Sequence, residues 1–179
     1  METIARCDSL IRVVLIGSES TGKTVLAREL ADHYRAELVP EFVRDFAVQK
    51  ASPIELADTD AIARGQMALE DEHAARATRL LIQDTDLLST VVYSGHYYGE
   101  CPAWIADVAR ERKPDLYLLL EIDVPWVQDD VRDREARREE TQQLFRDAVA
   151  RSGVKYDVIQ GTWDERSLRA RAAIDRLLA

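Results

Sequence analysis

The stretch Gly17-Ser18-Glu19-Ser20-Thr21-Gly22-Lys23-Thr24 constrains this chain more than any other. It satisfies G-x-x-x-x-G-K-[ST], follows the β-branched run IRVVLI and opens a stretch of helical period. Two glycines let the backbone curl so that successive N–H groups face one anion. The helix beginning near Lys23 adds the positive end of its dipole. Lys23 is placed to reach the β- and γ-phosphates of a nucleotide, and the Thr24 hydroxyl to bind Mg²⁺. The motif therefore predicts a phosphate-binding loop, with Gly17, Ser18, Glu19, Ser20, Thr21, Gly22, Lys23, Thr24 and Val25 as the ATP-contacting residues. Glu19 is the anomaly, a carboxylate in a loop that surrounds anions. It is expected to point away from the phosphates, toward solvent, a lid arginine or the acceptor.

Short apolar runs alternate with longer helical stretches, the pattern of βαβ units around a buried parallel sheet. Five strands are read: Ile11 to Ile16, Glu37 to Pro40, Leu80 to Gln83, Leu116 to Glu121 and Lys155 to Gln160. The expected architecture is the three-layer α/β P-loop NTPase fold. Its parallel sheet has the order 2-3-1-4-5, helices cover both faces, and a lid joins strands 4 and 5. Ser52-Pro53-Ile54-Glu55 reads as a helix start, Pro102 as another, and Gly153 as a helix stop.

The 179 residues fit one domain, 1–179, with a lid over roughly 124–140. A formal charge of -9 opposes broad contact with nucleic acid or anionic membrane, because both demand excess Lys and Arg. Cys7 and Cys101 form no metal-binding pair, and no long apolar segment is present, so a cytoplasmic protein is expected.

The remaining candidates lie at strand ends, where ligands of open α/β sheets sit. Asp84, closing the third strand, is the candidate second ligand of Mg²⁺; the alternative is a helix cap. Asp86 is assigned to the other side of that segment, toward acceptor hydroxyls. Glu41 is placed to take the proton of an attacking hydroxyl or to hold a sugar hydroxyl, with Arg44 one helical turn on. Asp84 is the alternative base. Arg132, Arg134, Arg137 and Arg138 form a basic run before the last strand, and Arg132 is chosen to bridge the nucleotide and the transferring phosphate. Tyr97, Tyr98 and Trp126 are candidate ring-stacking residues.

Absences narrow the class further. The chain contains no asparagine, so an N-K-x-D guanine reader cannot exist, and Leu87 stands where a D-x-x-G switch beginning at Asp84 needs glycine. A small kinase or a nucleotide-sensing module remains. The segments G-S-E-S-T-G-K-T, E-F-V-R (Glu41 to Arg44), D-T-D (Asp84 to Asp86) and W-V-Q-D-D-V-R (Trp126 to Arg132) resemble, in order, the ribosylnicotinamide kinase domain of bacterial NadR-type proteins. Asp130 stands where that family often has glycine, and the loop SGHYYGECP has no counterpart in the pattern. The resemblance implies ATP- and Mg²⁺-dependent phosphorylation of the 5′-hydroxyl of nicotinamide riboside. A kinase for another nucleoside or small alcohol and a non-catalytic ATP sensor are the alternatives.

Overall fold

The structure, a computed structural model, describes residues 10–124 and 137–179. Five parallel strands form one sheet: β1 (Ile11–Ile16), β2 (Glu37–Val39), β3 (Leu80–Asp84), β4 (Leu116–Leu120) and β5 (Tyr156–Ile159), in the order β2-β3-β1-β4-β5. The helices are α1 (Lys23–Tyr34), α2 (Phe42–Lys50), α3 (Thr59–Arg76), α4 (Leu87–Tyr98), α5 (Ala103–Glu111), α6 (Arg138–Ser152) and α7 (Trp163–Leu178). The expected three-layer fold and strand order are both present.

Both faces of β1 are buried, as a central parallel strand requires, so its sequence shows no polar alternation. Val13 and Leu15 pack with Leu26, Leu30, Ala170 and Ile174 on the α1/α7 side. Val14 and Ile16 pack with Val92, Tyr117, Phe145 and Val149 on the α4/α6 side. Each such aliphatic side chain contributes about 1.5–3 kcal/mol when fully buried. A third cluster, Ala63, Leu87 and Ile105, ties α3, α4 and α5 together. That cluster sets the position of the wall formed by α3 and α4.

Two local expectations hold and one shifts. Pro102 stands at the start of α5, and Gly153, at φ 73, ends α6. No helix begins at Ser52. The chain bends there after Ala51, at φ 52, and the Lys50 ammonium donates to the Pro53 carbonyl at 2.8 Å. The reciprocal capping box forms three residues later, between Glu55 and Asp58, opening a 3-10 turn (Leu56–Asp58) that runs into α3. Most of the expected lid, including Arg132, Arg134 and Trp126, lies outside the described residues; Arg138 is the first residue of α6.

Candidate active site

The loop between β1 and α1 has the curled form its glycines predict. Gly17 has φ 139, and a Cβ there would come within 2.6 Å of the Leu120 carbonyl oxygen. Gly22, at φ 86, caps α1, and its added Cβ would lie 2.1 Å from the Trp163 ring. Any side chain at either position must displace a neighbour as well as adopt a disfavoured backbone. Lys23 is nearly buried and donates to the carbonyls of Gly17 (3.0 Å) and Ser18 (2.6 Å). Its ammonium is thus already held over the curl.

Residues outside the motif fix the loop. The Ser18 N–H donates to Gln142 Oε1 at 2.9 Å, while Gln142 Nε2 donates to the Leu120 carbonyl at 3.0 Å, so one α6 side chain joins the loop to β4. Arg138 donates to the Ser20 carbonyl at 2.9 Å. Arg166 of α7, fully buried, donates to the carbonyls of Thr21 (3.0 Å), Gly161 (3.0 Å) and Glu121 (2.9 Å) and pairs with Asp123. Burial pushes Asp123 up, yet the Gly161 N–H and the Arg166 charge hold it below the ordinary carboxylate range. The outer side of the loop opens into a pocket of about 290 Å³ lined by Ser20, Thr21, Gly22, Lys23, Thr24, Val25, Arg28 and Arg44. The pocket joins the expected phosphate-binding residues to Arg44.

On the β3 side, Thr24 donates its hydroxyl to Asp84 Oδ2 at 2.5 Å. Asp84 Oδ1 is buried without a hydrogen-bond partner. Burial, and then the neighbouring Glu41 carboxylate, push Asp84 above its ordinary range, with Lys23 and the Thr24 hydroxyl pulling the other way. A buried carboxylate oxygen with no partner beside a loop hydroxyl suits a divalent cation that takes its other ligands from phosphate and water. Among the described residues no group of three or more carboxylates, histidines or cysteines is placed to hold a metal ion.

Asp86 has a different task from the one expected. Its Oδ1 accepts from the Leu88 N–H at 3.0 Å, capping α4, and its Oδ2 accepts from the Tyr117 hydroxyl at 2.6 Å. With both oxygens engaged inside the protein, Asp86 is not presented to an acceptor. Burial pushes it up to about 6 despite those bonds. A continuing strand would point Asp84 and Asp86 to one face. Thr85 prevents this by adopting φ 77, an uncommon conformation for a β-branched residue that costs about 1–3 kcal/mol. Behind Asp86, Glu70 of α3 pairs with Arg112 at 3.1 Å and is pushed up to about 7 by burial and then by the Asp86 charge.

A second, larger cleft of about 900 Å³ opens between α2, α3 and α4. Its lining includes Glu41, Ile54, Ile62, Gln66, Thr85, Tyr93, Tyr97 and Tyr98. Glu41 is buried and accepts from Arg44 Nε at 2.8 Å, so this ion pair spans the two pockets, carboxylate in one and guanidinium in the other. Gln66 Oε1 accepts from the Phe42 N–H at 2.9 Å, which fixes its amide and leaves Nε2 a buried donor without a partner. Tyr98 donates to the Ile54 carbonyl at 2.8 Å, and Tyr97 stacks on Tyr93 with centroids 5.8 Å apart and planes 7° from parallel. Of the surroundings expected for Glu19, solvent is not the one found. Glu19 is 2% exposed and accepts from the Ser18 hydroxyl at 3.3 Å and the Tyr93 hydroxyl at 3.1 Å.

Lys23, Thr24, Glu41, Arg44 and Asp84 therefore converge, and Tyr97 and Tyr98 lie on the adjoining cleft. The sequence reading missed Gln142, Arg166, Trp163, Gln66 and Tyr93. For α7 the capping box Thr162/Glu165 was a readable signal of the helix start, though nothing marked Arg166 as a loop anchor.

Fold and site together define a P-loop nucleotide-binding domain with a second cleft beside the phosphate loop. The chain belongs to the AAA domain family, whose model matches residues 12–166. It is 29% identical over 164 residues to the trifunctional NAD biosynthesis/regulator protein NadR of Escherichia coli K12, covering 88% of this chain and 40% of that protein. The Salmonella typhimurium NadR is 27% identical over 173 residues, covering 93% and 42%. The chain thus spans about two fifths of the length of these curated relatives. Among solved structures, a NadR protein in complex with NR superposes at a TM-score of 0.82 with 22% identity, over 93% of this chain and 51% of that one. A NadR protein with NAD and AMP-PNP gives 0.79 at 21% identity, over 93% and 49%. Thymidylate kinase from Ehrlichia chaffeensis gives 0.65 at 17%, over 93% and 98%. No helix among the described residues is long and apolar enough to cross a membrane.

Proposed function

We propose that the protein transfers the γ-phosphate of ATP to the 5′-hydroxyl of nicotinamide riboside, giving nicotinamide mononucleotide. The observation that carries this reading is the Glu41–Arg44 pair, which joins a phosphate pocket to an aromatic cleft of nucleoside size. The NadR relatives, one of whose structures holds NR, support the choice of acceptor.

In this reading the loop amides and Lys23 grip the β- and γ-phosphates, and Thr24 and Asp84 would hold Mg²⁺. The ion supplies charge neutralisation and alignment of the phosphates when bound. The acceptor oxygen attacks the γ-phosphorus in line, the bond to the β-phosphate oxygen breaks, and ADP leaves. Glu41 takes the hydroxyl proton, and Arg44 holds the carboxylate toward it. Gln66 Nε2 is a free donor for an acceptor oxygen. Arg132, outside the described residues, is assigned to the developing phosphoryl charge, and Trp126, also outside them, to the acceptor ring.

The test is ATP and Mg²⁺ with a panel of nucleosides, products resolved by chromatography. Nicotinamide riboside is expected to give its 5′-monophosphate, with one ADP formed per product. A product from another nucleoside and none from this one would reassign the acceptor. ATP binding with no phosphorylated product from any acceptor would make the domain a nucleotide sensor.

A further inference from the structure

Glu19 is a buried carboxylate with no basic partner. Ser18 and Tyr93 hydroxyls are its hydrogen-bond donors, and no ion pair to it exists among the described residues. Among the described residues, the cleft on the far side of the Tyr93 ring is lined by no Lys or Arg, and Glu41 is its one charged lining residue. A carboxylate taken out of water without a cation is costly, so a positive charge arriving nearby is favoured. The route from Glu19 to the cleft is direct. A phenol that donates to a carboxylate has a more electron-rich ring, and Tyr93 stacks in parallel on Tyr97, while Phe145 braces it edge-on at 5.2 Å.

We infer that Glu19, acting through Tyr93 and the Tyr97 ring stacked on it, is the positioning residue by which this cleft selects a cationic planar ring over a neutral one of the same shape. The inference rests on the proposed acceptor and deepens it. Phosphate contact needs only the backbone at position 19, which leaves the side chain available to serve the neighbouring cleft. Electrostatic attraction of a cation by an aromatic face gives a preference, and the unpaired carboxylate behind it increases that preference.

The experiment compares equilibrium binding of nicotinamide riboside with that of its neutral 1,4-dihydro form, which keeps the ribose and the carboxamide and loses the charge. Calorimetry on the full chain in the presence of ADP reads binding apart from transfer. The wild type is expected to bind the cation about tenfold more tightly than the neutral form. Glu19→Gln should bring that ratio to within about threefold, and Tyr93→Phe, which removes only the phenol bond, to an intermediate value. Tyr93→Phe also keeps the test open if Glu19→Gln does not fold. An equal ratio in wild type and both variants, no preference in the wild type, or no binding of either riboside overturns the inference. Transfer to the riboside without charge preference sinks this inference and leaves the kinase standing; preference without transfer does the reverse.

Discussion

The phosphate loop and the proposed acceptor cleft adjoin, yet they are built by opposite means. The loop is held by buried polar bonds from α6 and α7: Gln142 on Ser18, Arg138 on Ser20, and Arg166 on Thr21. The cleft is walled by apolar and aromatic side chains of α2, α3 and α4, with Tyr97 39% exposed and Val48 76% exposed. Directional bonds fix one geometry, which suits a group common to every nucleotide. Aromatic packing tolerates adjustment, which suits the half of the site that must tell acceptors apart. Precision is spent on the shared ligand and adaptability on the particular one.

The contrast breaks if the loop survives loss of its external anchors. Arg166→Met is expected to lower stability by about 3 kcal/mol, because three loop and strand carbonyls lose a buried charged donor and Asp123 loses its partner. Urea denaturation measures this, and a loss below about 1 kcal/mol would show that the motif holds itself. Nucleotide affinity should fall with it.

The wall of the proposed cleft and the anchor of the loop titrate in opposite senses: Glu70 of α3 is raised, whereas Asp123, paired with Arg166 under the loop, is lowered. Glu70 has its folded pKa raised to about 7 from an ordinary 4.5. The protonated form therefore contributes stability that is complete below pH 4.5 and is lost as pH rises through 7. Glu70→Gln should remove that part of the dependence, making the variant relatively more stable at pH 8 than at pH 5 by on the order of 2 kcal/mol. Thermal melts of both proteins at the two pH values test the sign. Asp86, raised to about 6, contributes a residual dependence in the same direction.

The smallest effect sharpens the division between the pockets. Tyr98→Phe loses one hydrogen bond to Ile54, worth about 1 kcal/mol, and leaves the ring in place. Acceptor KM should rise about fivefold while ATP KM stays the same. Equal changes in both would mean that the two pockets are not independent.

Much of the nucleotide half was legible because its chemistry is local. Two glycines, one lysine and one threonine at fixed spacing after an apolar strand specify the curl, and the structure has it. The βαβ alternation pointed to a parallel sheet, and the strand order was the one expected of the P-loop fold that the motif implies. The rest depends on tertiary contacts without a sequence period. Nothing local says that Gln142 reaches Ser18 across 124 residues, or that Arg166 is buried under the loop. Asp86 was assigned to acceptor hydroxyls because nothing local shows that the Leu88 N–H and the Tyr117 hydroxyl, 31 positions away, engage both of its oxygens. Glu19 was read as pointing away from the phosphates toward a lid arginine, the acceptor or solvent, and nothing local shows that Tyr93, 74 positions away, supplies the hydrogen bond that helps hold it inside.

Trp163 lies against Gly22 with about half of its surface in solvent. An indole resting on the glycine of a phosphate loop is an intrinsic optical reporter. Its emission responds to whatever changes the polarity over that glycine, so loop occupancy can be followed by fluorescence without a label, once Trp104 and Trp126 are replaced by phenylalanine. The same ring that obliges position 22 to be glycine makes the loop observable in real time.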